Sequence, residues 1–181
     1  MDGMNADKER FWAHSGEVWQ PLGEHLENVA GLARRLALLA APRDAGFQQL
    51  AEWCGLLHDY GKYTNCFRGM IRGEKLKCPH AIHGAAMAFF RLRAPHVASA
   101  IAGHHAGMPD LGVLRSEKAG KARKDADALL MRASADLPLI GRLLEGPTPM
   151  LDDPGLRQKI SPSRLDQGAG PAPGEGLRVG A

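Results

Sequence analysis

Apolar residues in the first two thirds of the chain recur at intervals of three and four, which is the period of an amphipathic helix. In residues 22–40 this spacing places on one face Leu22, Leu26, Val29, Leu32 or Ala33, Leu36 and Leu39. Pro42 follows shortly afterwards, at a position where a helix can end. The pattern predicts a first helix over 22–40 that turns its leucine-rich face toward the core.

The same period continues along the chain. Residues 47–60 repeat it, and Gly61 is a typical C-terminal stop. Two more helices are predicted over 80–93 and 96–105, and a charged helical stretch followed by an apolar one is predicted over 115–145. No alternating run of β-branched residues indicates a strand. The sequence therefore predicts an all-α helical bundle.

Composition changes after Glu145. Residues 146–181 are dense in glycine and proline and contain few apolar side chains, a composition typical of disorder. The length of 181 residues suits one domain. We therefore expect one globular domain over 1–145, followed by a disordered tail over 146–181.

Two features bear on the compartment. The charged N-terminus lacks the apolar core of a secretory signal, and no window holds the roughly 18 uncharged apolar residues that a membrane span needs. The three cysteines (Cys54, Cys66 and Cys78) are odd in number and form no CxxC pair. These features predict a cytoplasmic protein, away from membranes, with free thiols.

The segment LLHDYGK at 56–62 carries the sharpest chemical signal. Adjacent His58 and Asp59 at a helix end can enter one cavity, and imidazole with carboxylate suits Mn, Fe, Co, Ni or Zn better than calcium. If the helix continues one more turn, Lys62 lies on the same side. Its ammonium would then neutralise a phosphate oxygen or a leaving group.

Histidines are numerous and clustered, with eight in the chain. Five accompany the His-Asp pair on neighbouring predicted helices: His25, His80, His83, His104 and His105. Neutral imidazole is costly to bury without partners, and a metal centre supplies them. Because one or two bound divalent ions generate hydroxide near neutral pH, the cluster predicts hydrolysis of a phosphate ester.

The two remaining histidines have simpler interpretations. His14 is interpreted as a structural residue or a contact near the site. His96, at a predicted helix start, is interpreted as a capping or surface residue.

A nucleotide-binding loop is excluded. The stretch from Gly55 to Lys62 has the glycines and lysine of such a loop, but its spacing is one residue too long. Tyr63 also occupies the position of the magnesium-binding Ser or Thr. The chain therefore carries no ATP-driven motor.

Basic residues flank the histidine motifs. Candidate nucleic-acid contacts are Arg68, Arg72, Lys75 and Lys77. A second basic stretch over 115–124 is interspersed with acidic residues and is equally consistent with a solvated helix face. The nearest aromatic residues are Tyr60, Tyr63 and Phe67, which are too few to predict sequence-specific readout.

Five segments together resemble the HD nuclease of type I CRISPR interference: AHSG at 13–16, EHLENVAGLA at 24–33, LLHDYGKYTNCF at 56–67, PHAIHGA at 79–85 and GHHAGMPD at 103–110. The resemblance implies an all-helical HD bundle that cleaves single-stranded DNA with one or two divalent ions (Mn, Fe, Co, Ni or Mg). It also implies two partners, a helicase and a CRISPR RNA-guided surveillance complex.

The resemblance implies roles for individual residues. His25 resembles the first-helix ligand, and His58 and Asp59 resemble the HD pair, in which Asp59 bridges two metals. Lys62 resembles the catalytic lysine, and His104 and His105 resemble the paired ligands of the second metal. The remaining ligand is His80, which has the expected spacing to Gly84-Ala85, with His83 as the alternative.

One family element is missing. The family has a further aspartate ligand on a late helix, in an apolar run that ends in Asp-Ala-Asp, and only Asp136, Asp152 and Asp153 are weak candidates here. Two alternatives therefore stay open. One is an HD phosphohydrolase that acts on small nucleotides, and the other is a catalytically impaired, truncated HD domain.

Overall fold

The computed structural model describes residues 10–74, 77–105, 107, 112 and 116–145. Within them the helices are α1 (Leu22–Ala40), α2 (Ala45–Leu57), α3 (Asn65–Ile71), α4 (Ala81–Ala86), α5 (Pro95–Gly103), α6 (Glu117–Asp136) and α7 (Pro138–Glu145). A 3₁₀ turn spans Tyr60–Tyr63, and α4 runs into a π-helical turn over Met87–Arg91. The predicted all-helical architecture is confirmed, whereas the predicted tail over 146–181 lies outside the described residues.

A short two-stranded ribbon precedes the bundle, which the sequence did not predict. Strand β1 (Trp12–His14) pairs antiparallel with β2 (Gln20–Pro21), and Trp12 faces Pro21 in the register. Strands of three and two residues are too short to show an alternating apolar pattern. The ribbon leads directly into α1, where the Leu22 amide donates to the Phe11 carbonyl at 2.9 Å.

Helices α1 and α2 pack at close range, and this contact decides which face of α1 is buried. A Cβ atom on Gly55 of α2 would collide with the backbone of Ala30, so the crossing point requires a glycine. The buried residues of α1 are accordingly Leu22, Gly23, Leu26, Ala30 and Ala37. The prediction was wrong for the second half of the leucine face, because the close approach of α2 to α1 admits only small side chains there.

The leucines of that second half point outward instead. Leu32, Leu36 and Leu39 keep 51%, 57% and 80% of their surface exposed. They share the helical period of the buried face but lie on a different side of α1.

Helix α6 accepts two hydrogen bonds from the 3₁₀ turn that follows α2. The Tyr60 hydroxyl donates to the Ala126 carbonyl at 2.8 Å, and the Tyr63 hydroxyl donates to Asp136 Oδ2 at 2.9 Å. Both tyrosines are fully buried. Burial, followed by the nearby carboxylates of Asp127 and Asp136, raises the pKa of both phenols well above the ordinary value, so they remain hydrogen-bond donors.

The expectation of free thiols was wrong for two of the three cysteines. Cys66 on α3 and Cys78 in the segment before α4 form a disulfide, which a sequence without a CxxC spacing does not reveal. Cys54 is free, and burial raises the pKa of its thiol to about 11.

No helix in the described part of the chain is long and apolar enough to cross a lipid bilayer.

Candidate metal centre

Asp59 lies at the centre of the histidine cluster, just beyond the end of α2. The prediction for Lys62 required α2 to continue for another turn. Instead α2 ends at Leu57, and a 3₁₀ turn begins at Tyr60. That tighter turn still aligns residues three apart. The Lys62 ammonium therefore reaches Asp59 Oδ2 at 2.7 Å and also donates to the Ala13 carbonyl at 2.9 Å.

The first donor set contains His25, His58 and Asp59, whose nearest ligand atoms lie within 4.8 Å of one another. Helix α1 contributes His25, and the end of α2 contributes the other two. Both imidazole Nε2 atoms lie 3.2 Å from Asp59 Oδ2. All three side chains are largely buried.

The second donor set contains Asp59, His80, His104 and His105, also within 4.8 Å of one another. His80 precedes α4, and His104 and His105 follow α5. This set uses the other carboxylate oxygen, because Asp59 Oδ1 lies 3.1 Å from His80 Nε2 and 3.7 Å from His104 Nε2. Each oxygen of one carboxylate thus faces a different group of imidazoles.

Backbone carbonyls and one side-chain amide orient four of the five imidazoles. The Nδ1 groups donate outward: His58 to Gly55 at 2.7 Å, His104 to Ile101 at 2.6 Å, His80 to Cys78 at 3.4 Å and His25 to Gln20 Oε1 at 3.2 Å. A proton on Nδ1 leaves the Nε2 lone pair directed inward, which is the usual arrangement of histidine metal ligands.

The inward-facing atoms lack a hydrogen-bonding explanation. His25 Nε2 lies 3.2 Å from His58 Nε2, and His105 Nε2 lies 2.9 Å from His80 Nε2. Because His25 and His58 both donate through Nδ1, their neutral rings bring two Nε2 lone pairs together, which is unfavourable without a cation between them. His80 also donates through Nδ1, so its Nε2 lone pair is available either to a His105 N–H or to a cation. Asp59 Oδ1 is buried and has no hydrogen-bond partner in the described part of the chain. These residues therefore fit divalent ions.

The charge state of the cluster favours cation binding. Burial alone would raise the pKa of Asp59, but hydrogen bonds from His25, His58 and His80, donated when their Nε2 atoms carry protons that a bound cation would replace, outweigh it and hold that pKa far below its ordinary value. Burial, with His104 and His80 nearby, lowers the pKa of His105. The carboxylate is therefore ionised and the exposed imidazole is neutral at neutral pH, as ligands must be.

A second close backbone contact brings His80 to Asp59. A Cβ atom on Gly61 would collide with the carbonyl group of His80, so the segment before α4 can pack directly on the 3₁₀ turn. Gly84 on α4 packs in the same way against the carbonyl oxygen of Leu57. The glycines of the two motifs therefore set the distance between the ligand-bearing segments.

The other histidines have different surroundings. His83, the alternative to His80, is in neither donor set, and its Nδ1 donates to the His80 carbonyl at 3.3 Å. The His14 ring packs edge-on against His25 with the ring centroids 5.0 Å apart, as a contact near the site. The interpretation of His96 as a capping or surface residue was wrong. Both its ring nitrogens are buried and lack hydrogen-bond partners among the described residues.

No late carboxylate joins the two donor sets within the described residues. Asp136 accepts from Tyr63, and a Cβ atom on Gly23 would come within 3.1 Å of it. The Asp-Ala-Asp at 125–127 follows a charged run on α6, and Asp127 lies 3.8 Å from Arg91. Asp152 and Asp153 lie outside the described residues.

The basic candidates divide into three groups. Arg68 and Arg72 line a cleft that Lys62 also lines, and Lys77 is exposed in the segment before His80. Lys75 lies outside the described residues. The sequence missed Trp12 and Trp19, which line the same cleft, because Trp12 lies on the ribbon that no pattern predicted and Trp19 directly precedes its second strand.

Comparison with known proteins gives one family. The HD domain model matches residues 22–133, a range that contains both donor sets. Searches of curated proteins and of solved structures gave no significant match. HD domains bind divalent metals and hydrolyse phosphate esters. Because the match covers more than half of the chain, the chain belongs to the HD domain family of metal-dependent phosphohydrolases.

Proposed function

We propose that this chain is a phosphodiesterase that cleaves single-stranded DNA with two divalent metal ions. The observation that carries the proposal is the shared carboxylate: the two oxygens of Asp59 face two separate groups of imidazoles. Ions held by two adjoining sets can stabilise both the attacking and the leaving oxygen of an in-line displacement. Such a pair suits a phosphodiester better than a single ion does.

The ions would be held by the two donor sets, with Asp59 between them. They supply a water of lowered pKa and positive charge for the phosphate oxygens. Lys62 keeps Asp59 in place through its 2.7 Å ion pair, and the Ala13 carbonyl fixes its ammonium from the other side. An ammonium has three N–H groups, so one is left over from these two contacts to reach a phosphate oxygen.

The order of the motifs supports one biological setting. Five segments between residues 13 and 110 occur in the same order as in the HD nuclease of type I CRISPR interference. We therefore propose that the chain acts in CRISPR antiviral interference, in the cytoplasm, with a helicase and an RNA-guided surveillance complex as partners. The helicase would deliver the single-stranded DNA that this chain cuts.

Within the described residues no late carboxylate joins the first donor set, which weakens it. Of these residues, His25, His58 and Asp59 would hold that ion, and water would complete its coordination. A catalytic ion commonly has three protein ligands and an open position, so the set remains sufficient for chemistry. We expect weaker metal binding there than in the second set, which offers four ligands.

Cleavage of circular single-stranded DNA tests the proposal, with Mn, Co, Ni and Mg compared. Asp59→Ala removes a ligand from both sets, and His80→Ala removes one from the second set only. We expect metal-dependent cleavage by the wild type and a loss of more than about 100-fold in Asp59→Ala, a larger effect than loss of a residue that only supports a ligand. Bound metal should fall in both variants.

His83→Ala is the matched control, because His83 lies close to His80 in the chain but belongs to neither donor set. It should keep the wild-type metal content and rate. Metal-dependent turnover of small nucleotides without cleavage of DNA would replace this proposal with a nucleotide phosphohydrolase. Metal binding without any cleavage would identify a catalytically impaired HD domain.

A further inference from the structure

An open cleft of about 320 Å³ lies beside the metal centre. Its walls combine cations with indole rings: Arg10, Trp12, Trp19, Arg68 and Arg72. We call it the aromatic–basic cleft. Cations that follow a phosphate backbone, together with aromatic faces for the bases, are the two parts of a single-strand binding surface.

The ribbon positions the indoles. Trp12 on β1 and Trp19 just before β2 pack edge to face, with ring centroids 5.5 Å apart and planes at 79°. The Arg10 guanidinium lies 5.0 Å from the centroid of the Trp12 ring. Trp19 keeps 41% of its surface exposed. One indole is therefore supported by its neighbours while the other still presents surface to solvent.

The aromatic residues nearest the basic stretches in the sequence cannot serve in this way. Tyr60 and Tyr63 are 0% exposed, and Phe67 is 4% exposed. The two tyrosine rings belong to the core, and the Phe67 ring exposes too little surface for a nucleobase to stack on it. Trp19 differs because it combines a large exposed ring with a position in the cleft.

The cleft and the metal centre share part of their walls. Lys62 lines the cleft and makes the 2.7 Å ion pair with Asp59. Phe67 also lines the cleft, and its ring centroid lies 5.4 Å from that of His80. A strand with one phosphate at the metal centre can therefore place a neighbouring nucleotide in the cleft.

We propose that the aromatic–basic cleft is a nucleobase subsite, in which an unpaired base next to the scissile phosphate stacks on Trp19. The cations of the cleft face the flanking phosphates. Because a base inside a duplex is already stacked on its neighbours, this subsite accepts single strands and discriminates against duplexes without reading sequence. The inference rests on the proposed phosphodiesterase activity and gives it a means of selecting its substrate.

Binding and chemistry can be tested separately. Fluorescence anisotropy of labelled (dT)₁₂ in EDTA reports binding without cleavage. Trp19→Ala should weaken binding about tenfold, which is the typical worth of one stacked base, and Trp19→Phe should restore most of it. Metal-dependent hydrolysis of bis(p-nitrophenyl) phosphate, which has no nucleobase, should change less than about twofold in Trp19→Ala.

The matched control is Phe90→Ala. Phe90 also packs against an arginine, with Arg123 5.3 Å from its ring centroid, but it lies in a different region, on the π-helical turn after α4. This variant should bind (dT)₁₂ like the wild type. Circular dichroism melting of each variant checks that the fold is intact.

Three results would overturn the subsite: failure of the wild type to bind (dT)₁₂, unchanged binding by Trp19→Ala, or thymidine monophosphate binding as tightly as (dT)₁₂. The last result would indicate a site for a small nucleotide. If the wild type binds (dT)₁₂ through Trp19 but never hydrolyses the small diester, the proposed activity fails while the subsite stands.

Discussion

At the scale of single residues, hydrogen-bonding requirements distinguish the histidines better than their positions in the sequence do. Four imidazoles of the two donor sets direct one nitrogen to an oxygen acceptor and the other toward Asp59. His96 is different, because both its nitrogens are buried and lack partners in the described part of the chain. A buried polar atom without a partner costs free energy, so His96 is a weak point of the fold.

His96→Leu should raise the free energy of unfolding by about 1 kcal/mol at pH 8, because it removes two buried, unpartnered nitrogens. Burial lowers the pKa of His96 in the folded state below its ordinary value of 6.5. The unfolded state therefore binds the proton more readily, and this destabilising effect grows as pH falls below 6.5.

Urea unfolding of both proteins at pH 8 and pH 5.5, in EDTA, measures this difference. The increase in the free energy of unfolding caused by His96→Leu should be larger at pH 5.5 than at pH 8. An equal advantage at both values would mean that His96 does not titrate differently on folding.

At the scale of the elements, close backbone contacts position the residues of the two donor sets. Gly61 lets the 3₁₀ turn touch the His80 carbonyl, and Gly55 lets α2 cross α1 at Ala30. These contacts fix where His25, Asp59 and His80 lie relative to one another. The glycines therefore act on metal binding without contacting a metal.

Gly61→Ala should displace the His80 segment, since its new methyl group would occupy the position of the His80 carbonyl. We expect a loss of about 1–3 kcal/mol of stability, as for other overpacked sites, and weaker metal binding by the second donor set. Isothermal titration with Mn²⁺ and thermal melting would measure the two effects.

Gly120→Ala on α6 is the control, because a methyl group there meets nothing within 4 Å. It should leave metal binding unchanged and increase stability by about 0.5–1 kcal/mol through the higher helix propensity of alanine. Equal metal affinity in Gly61→Ala and the wild type would show that the His80 segment is not held by this contact.

The same elements show how far the sequence predicts this fold. Helix α1 was predicted with its observed limits, since its apolar period is unbroken from Leu22. The prediction of its buried face was correct only as far as Leu26. Beyond that residue, the close contact with Gly55 of α2 places alanines rather than leucines in the core. Spacing identified candidate ligands, but their convergence on Asp59 depends on tertiary contacts that a linear pattern does not contain.

At the scale of the whole molecule, the disulfide links the metal centre to the redox state of the surroundings. Cys66 lies on α3, and Cys78 lies two residues before His80. A reducing compartment would open this bond. Because we propose a cytoplasmic setting, the reduced protein should be compared with the oxidised one.

Reduction should lower the free energy of unfolding by about 3 kcal/mol, the typical effect of opening a bond that closes a loop of this size, with the cysteines 12 positions apart. Guanidinium unfolding with and without dithiothreitol would measure it. The double variant Cys66→Ser, Cys78→Ser should have the same free energy of unfolding as the reduced wild type, and dithiothreitol should not change it. If dithiothreitol also destabilises this variant, the effect does not come from the disulfide.

The buried hydroxyl of Tyr63 sets a lower limit on how far the chain can be shortened. The family match ends at residue 133, but Tyr63, next to Lys62, donates to the carboxylate of Asp136. A fragment that stops at the end of the match would leave that phenol inside the protein without its acceptor and would expose the N-terminal turn of α1 at Gly23. An autonomous unit must therefore extend at least through Asp136, the last residue of α6, and this lower limit follows from a hydrogen bond rather than from sequence similarity.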